Sequence, residues 1–265
     1  MIIPRVLIIK HGSIGDIFMS LDAVKAIQKK YSDITLLSTN SGHRIFDDSD
    51  FNFKKIIDNR RSFFDTCKIL FRIIVQKYDI VIDLQNSNRT SFYLFILKFL
   101  SNTISNGTSF FASKRYHKIN LDEHVKDGLK NQLSLLDIQV DGVVGELQRN
   151  IKQQVIIVPG SSKEGSHKRW DISNFNSLMS YLSSKNISSY VIGGVDETDL
   201  SKLIPENEFI HNLINKSPWK VVKKIALESV VAVSNDTSTM HYISSLNIPI
   251  IALMKNNSYS VRNAP

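Results

Sequence analysis

Four short stretches of this chain gather the residue types that chemistry needs. Lys10-His11-Gly12-Ser13-Ile14-Gly15-Asp16 sets a carboxylate behind two glycines, where a second molecule can approach an Asp able to take a proton. Asp83-Leu84-Gln85-Asn86-Ser87-Asn88-Arg89 offers Asp83, Gln85 and Arg89 to a polar acceptor. Pro159-Gly160-Ser161 opens a Gly/Ser loop that ends in Lys168-Arg169-Trp170, whose two cations can neutralise a phosphate. Asn235-Asp236-Thr237-Ser238-Thr239-Met240-His241 crowds hydroxyls at the start of a helix, where unpaired N–H groups and the helix dipole favour an anion. Each stretch also has a plainer reading. Asp16 can be a helix N-cap, and Asp83 can bond its own loop amides. The third loop can be an exposed basic loop anchored by Trp170, and Asp236 and Thr237 can be ordinary caps. The residues alone leave both readings open.

Other chemistries are excluded by spacing. Gly160 and Gly165 have the Walker A separation, but Ser166-His167 stands where Lys-Ser/Thr is required. Gly12 and Gly15 do not complete G-x-G-x-x-G. The histidines show no metal-binding spacing, and neither a G-x-S-x-G elbow nor a kinase signature set occurs; no metal is expected.

Loops of this kind need strands behind them. Short β-branched runs predict strands over 6–10, 34–38, 53–57 and 80–84. Helices are predicted from about 16 to 31, over 64–77, 91–100 and 123–136. Ile17, Leu21, Val24, Ile27 and Tyr31 form one apolar stripe of the first helix. A polar stretch from Asp141-Gly142 to Gln154 reads as a linker. The alternation then restarts, with strands over 155–158, 190–192, 230–233 and 249–253 and helices over 174–184, 199–203, 219–227 and 240–246. The pattern predicts an α/β protein of two parallel sheets, an N-terminal domain over 1–145 and a C-terminal domain over 155–265. Ligands of such sheets bind beyond the carboxyl ends of the strands, so the four loops are expected to line a cleft.

Composition is globular, with 42% hydrophobic and 22% charged residues in 265. Cys67 is the single cysteine, expected to be a half-buried small hydrophobe in a helix, and a reducing cytoplasmic setting is expected. The nearest approach to an apolar span, 91–100, is interrupted by Lys98 and is far short of the roughly 20 residues a membrane span needs. Net charge is +8 and the pI about 9.4, which suits an anionic partner. No zinc-finger spacing or RNA-binding aromatic motif accompanies it, so a nucleic-acid role would rest on the pI alone. Lys54, Lys55, Arg60, Arg61, Lys114, Arg115 and Lys118 are expected to form a basic face on the N-terminal half. Such a face would meet a phosphorylated, membrane-held glycolipid, or be merely solvated.

Taken in order, the motifs resemble the bacterial heptosyltransferases of glycosyltransferase family nine. The resemblance rests on Gly12-Ser13-Ile14-Gly15-Asp16, Tyr78-Asp79-Ile80-Val81-Ile82-Asp83-Leu84-Gln85, Pro159-Gly160-Ser161 with Lys168-Arg169-Trp170, Gly193-Gly194-Val195-Asp196-Glu197, and Asn235-Asp236-Thr237-Ser238-Thr239-Met240-His241. Ser238-Thr239 stands where the family has Gly-Pro, and the chain reaches Pro265 where relatives continue. The resemblance implies two facing Rossmann-like domains of the GT-B type with a shortened C-terminal part. It implies an inverting transferase moving a heptose or similar sugar from an ADP-sugar to a lipopolysaccharide core or related glycan. Asp16 would be the general base. Lys168, Asp236, Thr237, Ser238, His241, Gly160, Ser161 and Gly194 would bind the donor, and Ser13, Asp83, Gln85 and Arg89 the acceptor. The expected partners are a nucleotide sugar and a glycolipid or glycan, with peripheral contact at an anionic inner membrane and no nucleic acid. The expected location is the cytoplasm. The altered phosphate loop and short end keep a second reading open, a catalytically weak scaffold that binds a sugar nucleotide or a partner.

Overall fold

The computed structural model describes residues 3–49, 51–58, 62–118, 120, 122–141, 149–161, 165–255 and 258–265. The chain divides into two compact units, Met1–Val144 and Gly145–Pro265. Residues 142–148 of the expected linker lie outside the described residues.

The N-terminal unit is built on strands β1 (Arg5–Ile9), β2 (Asp33–Ser38), β3 (Lys54–Ile57), β4 (Ile80–Asp83), β5 (Ile104–Gly107) and β6 (Lys114–Arg115). All pair in parallel, in the order β3-β2-β1-β4-β5-β6. The register sets Val6 beside both Ile34 and Ile80. Val6, Leu7, Ile8 and Ile9 are all fully buried, as a central strand covered on both faces requires. The helices are α1 (Ile14–Met19), α2 (Leu21–Lys30), α3 (Asn40–Asp48), α4 (Phe63–Gln76), α5 (Asn88–Leu100) and α6 (Val125–Ser134). Ile69, Leu70 and Ile73 of α4 join Tyr93, Leu94 and Leu97 of α5 in one core cluster with Leu7, Ile9 and Val81 of the sheet.

The C-terminal unit repeats the plan. Its strands are β7 (Gln154–Val158), β8 (Ser188–Val191), β9 (Ile210–Asn212), β10 (Val231–Asn235) and β11 (Ile250–Leu253), parallel in the order β11-β10-β7-β8-β9. Its helices are α7 (Ile172–Ser184), α8 (Thr198–Ser201), α9 (Trp219–Glu228), α10 (Ser238–Ser245) and α11 (Ser258–Asn263). Phe175 and Met179 of α7 pack against Val155, Ile157, Val191 and Val233.

Several expectations are corrected. The first helix is two helices, because Ser20 closes α1 by returning its Oγ–H to the Ile17 carbonyl at 2.7 Å. The stripe Ile17, Leu21, Val24 and Ile27 is buried across that break, whereas Tyr31 caps the end. Elements α3, β5, β6, β9 and α11 have no counterpart in the periodicity reading. Cys67 is exposed on α4 rather than half-buried. Among the described residues no helix is long and apolar enough to cross a membrane.

Among the described residues the expected basic face is not one surface. Lys54 and Lys55 sit on β3 and Lys114 and Arg115 on β6, at opposite edges of the sheet. Lys54 is paired with Asp33 at 2.6 Å and Lys55 with Asp47 at 2.7 Å. Arg60 and Arg61 lie outside the described residues.

Candidate active site

The strand order of each sheet reverses direction once. In the N-terminal unit this happens between β1 and β4, and in the C-terminal unit between β7 and β10. Crevices at the carboxyl ends of such reversals are where open parallel sheets bind ligands. The loops leaving those four strands are the four motif stretches of the sequence.

After β1 the chain turns through Gly12, whose φ is +27°. A Cβ there would lie 2.8 Å from Asp16 Cβ, so only glycine fits both the backbone and the space. Ser13, not Asp16, is the N-cap of α1, which corrects the capping reading. Asp16 is the third helical residue and closes a capping box: its Oδ2 accepts from the Ser13 N–H and Oγ–H, both at 3.0 Å, and its own N–H donates to Ser13 Oγ. Asp16 is half-buried and Ser13 exposed. Its second oxygen, Oδ1, makes no hydrogen bond among the described residues. Lys10 is buried beneath this loop with Nζ donating to the Leu84 carbonyl at 3.2 Å. Burial pushes its ammonium pKa down, against the pull of Asp16 and Asp83.

The loop after β4 serves mainly to hold the first. Gln85 Oε1 accepts the N–H groups of His11 and Gly12 at 2.9 and 2.6 Å. Asp83 is fully buried, and its Oδ1 accepts the Gln85 and Asn86 amides at 3.0 Å each. Burial raises its pKa, and the hydrogen bonds offset part of that. Asp83 thus builds the loop through Oδ1. Arg89 is half-buried and clamped, with Nη2 and Nε donating to the two oxygens of Asp58 at 2.9 and 3.2 Å and Nε also reaching Tyr93 Oη at 2.7 Å. Asp58, itself fully buried, also accepts from Tyr93 Oη at 2.9 Å and lies 3.2 Å from His11 Nε2. This carboxylate ties α5 to the backbone that presents Asp16. Sequence reasoning missed it, since nothing local marks Asp58.

In the C-terminal unit Asn235 joins two loops, accepting from the Trp170 N–H at 3.0 Å and donating to the Pro159 carbonyl at 2.8 Å. Arg169 Nε donates to Ser161 Oγ at 3.1 Å, and Trp170 packs edge-on to Phe175. Ser161 is buried and Gly194 exposed. Gly160 lies directly under Glu197, whose Cγ would be 2.0 Å from an added Cβ. Glu197 Oε2 accepts the Gly194 N–H at 2.6 Å. Burial raises the Glu197 pKa, opposed by that amide and by Arg169. Glu197 was read from the sequence as the end of the Gly193-Gly194 motif but was given no role there. Gly160→Ala is expected to lower stability by about 1–3 kcal/mol through overpacking, read as a fall in melting temperature. An unchanged melting temperature would mean that Glu197 moves aside freely.

Thr237 occupies the N-cap of α10, and its side chain makes no cap hydrogen bond among the described residues. Asp236, Thr237 and Ser238 are half-buried, and His241 in the first turn is 7% exposed. Lys168 belongs to a one-turn 3₁₀ helix, Ser166–Lys168; its side chain lies outside the described residues. No group of His, Cys, Asp or Glu able to hold a metal occurs among the described residues.

The family model for glycosyltransferase family 9 (heptosyltransferase) matches residues 68–260. The chain belongs to this family and is a glycosyltransferase. A family 9 glycosyl transferase from Veillonella parvula is 17% identical, covering 94% of this chain and 80% of the other with a TM-score of 0.71. Escherichia coli heptosyltransferase WaaC, solved with ADP-2-deoxy-2-fluoro heptose, is 18% identical over 94% and 88%, TM-score 0.72. ADP-heptose LPS heptosyltransferase II of Escherichia coli is 16% identical over 94% and 84%, TM-score 0.67. These structures share the fold, two Rossmann-like domains of the GT-B type. No curated protein sequence matches the chain significantly.

Proposed function

We propose that this family 9 glycosyltransferase moves a heptose or similar sugar from an ADP-sugar to a lipopolysaccharide core or related glycan, inverting the anomeric centre. The observation that carries the reading is the coincidence of the motif loops with the strand-order reversal in both sheets. WaaC supports the donor, being solved with a fluorinated ADP-heptose.

The C-terminal unit would take the donor. The N-terminus of α10, with Asp236, Thr237 and Ser238, suits a diphosphate because helix N–H groups and dipole stabilise its charge. Lys168 would add a cation, His241 would line the first turn, and Gly160, Ser161 and Gly194 would let the nucleotide approach the backbone. The N-terminal unit would take the acceptor through Ser13, Gln85 and Arg89. An acceptor hydroxyl oxygen attacks the anomeric carbon as its proton passes to Asp16. The bond from that carbon to the diphosphate oxygen breaks, and ADP carries away the electron pair.

ADP is expected to raise the melting temperature more than UDP or GDP at equal concentration. Lys168→Ala is expected to weaken ADP binding by about 1.5–3 kcal/mol, the scale of a charge-assisted hydrogen bond, measured by calorimetric titration. Equal shifts for the three nucleotides, indifferent to this substitution, would sink the donor assignment.

A further inference from the structure

Helices α4 and α5 each bury one stripe in the core and present a second apolar stripe to solvent. On α4 the outer stripe is Phe64, Phe71 and Val75, exposed by 77%, 70% and 59%. On α5 it is Phe92, Phe95 and Phe99, whose rings form a ladder with centroids 6.5 and 5.2 Å apart. Phe111 continues the ladder 4.8 Å from Phe95, and Phe110, 70% exposed, follows at 5.7 Å. Singly exposed apolar residues are ordinary, but a contiguous aromatic array on one face marks an interaction surface.

The charges around it are mostly positive, Asp65 being the one acid on the two helices. Helix α5 contains no acidic residue, and Lys98 and Arg115 stand over the Phe110 ring at 5.7 and 5.5 Å. Lys68 and Arg72 flank the α4 stripe. Rings that enter the boundary between headgroups and acyl chains, with long cations reaching phosphates above them, describe an interfacial membrane surface. A partner protein of ordinary composition would leave those cations to be matched one by one, whereas an anionic bilayer matches them all.

We propose that the outer face of α4 and α5, with Phe110 and Phe111 beside it, docks onto an anionic phospholipid bilayer. Helix α5 has 13 residues, about 20 Å, so it lies along the surface and does not cross it. Phe110 follows β5 at the carboxyl edge of the sheet, the edge that carries Asp16.

Flotation with phosphatidylcholine vesicles, with and without phosphatidylglycerol, tests this on the full chain. The wild type is expected to float with the anionic vesicles only, less as salt rises. The triple variant Phe92→Ser, Phe99→Ser, Phe110→Ser is expected to lose at least about tenfold in partition coefficient, with its far-UV circular dichroism unchanged. Should that variant fail to fold, Lys98→Glu with Arg115→Glu must show the same loss. Transfer to a water-soluble acceptor fragment should be unaffected in both, so docking and the transfer reading fail separately. A wild type that ignores anionic vesicles, or variants that bind them as strongly, overturns the proposal. So does a wild-type dimer that the substitutions dissociate without any vesicle binding, since a second copy would then cover this face.

Discussion

Asp16→Asn is expected to abolish sugar transfer while leaving the protein folded and the donor bound. The substitution keeps the side-chain oxygen that accepts from Ser13, so the capping box at the head of α1 survives. It removes the carboxylate that would receive the proton of the attacking hydroxyl, and general-base assistance is worth about 10²–10⁴ in rate. The expected pattern is a kcat lower by that factor, a donor Kd within about twofold of wild type and an unchanged melting temperature. Transfer at the wild-type rate would leave Asp16 a helix-terminal residue only. The base would then have to be sought at Asp83 in the loop after β4, a buried carboxylate whose Oδ1 accepts from that loop's amides.

The second large effect is expected at Asp58. This fully buried carboxylate faces the guanidinium of Arg89, the hydroxyl of Tyr93 and the imidazole of His11. Burial and the Asp58 charge both push the Tyr93 hydroxyl pKa upward, so Tyr93 stays a donor to it. Asp58→Ala strands a guanidinium and leaves Tyr93 Oη without its acceptor, a change that costs about 3–5 kcal/mol when a buried pair loses one member. Asp58→Asn keeps one acceptor oxygen and is expected to cost about 1.5–3 kcal/mol. Urea unfolding followed by far-UV circular dichroism measures both; tryptophan fluorescence would report poorly, since Trp170 and Trp219 both belong to the C-terminal unit. A stability for the Ala variant within 0.5 kcal/mol of wild type, roughly the error of such fits, would show that Arg89 and His11 find other partners.

What the sequence revealed and what it hid follow from the range of the forces involved. The buried runs of β1, β4, β7 and β10 announce themselves because a strand covered on both faces must be apolar at successive positions. The loops after them were legible through glycine and hydroxyl content. Ser13-x-x-Asp16 is a capping-box spacing, yet which of the two residues caps depends on where the helix begins, and Asp16 was misassigned. The two-residue strand β6 and the three-residue β9 are too short to show a period. Asp58 was invisible because its partners, Arg89 and Tyr93 of α5 and His11 after β1, lie far from it along the chain. The basic residues misled for a related reason: spacing along a chain does not say which edge of a sheet a strand will occupy. Helix α5 hid its outer face by being apolar nearly all round, so the sequence could not separate the buried stripe from the exposed one.

Neither sheet borrows a strand from the other stretch of chain. Every strand of the first lies before Tyr116, and every strand of the second after Gln153. A ribosome working from the N-terminus therefore releases the whole first sheet, with the helices that cover it, before it has made β7. Domains that emerge complete can fold as units during synthesis, at about 5–20 residues per second. The β1–β4 reversal, which positions Asp16, is in this way settled within one contiguous segment. Its assembly does not wait for the C-terminal unit, and its parallel strand edges are open to mispairing only while their own partners are still being translated.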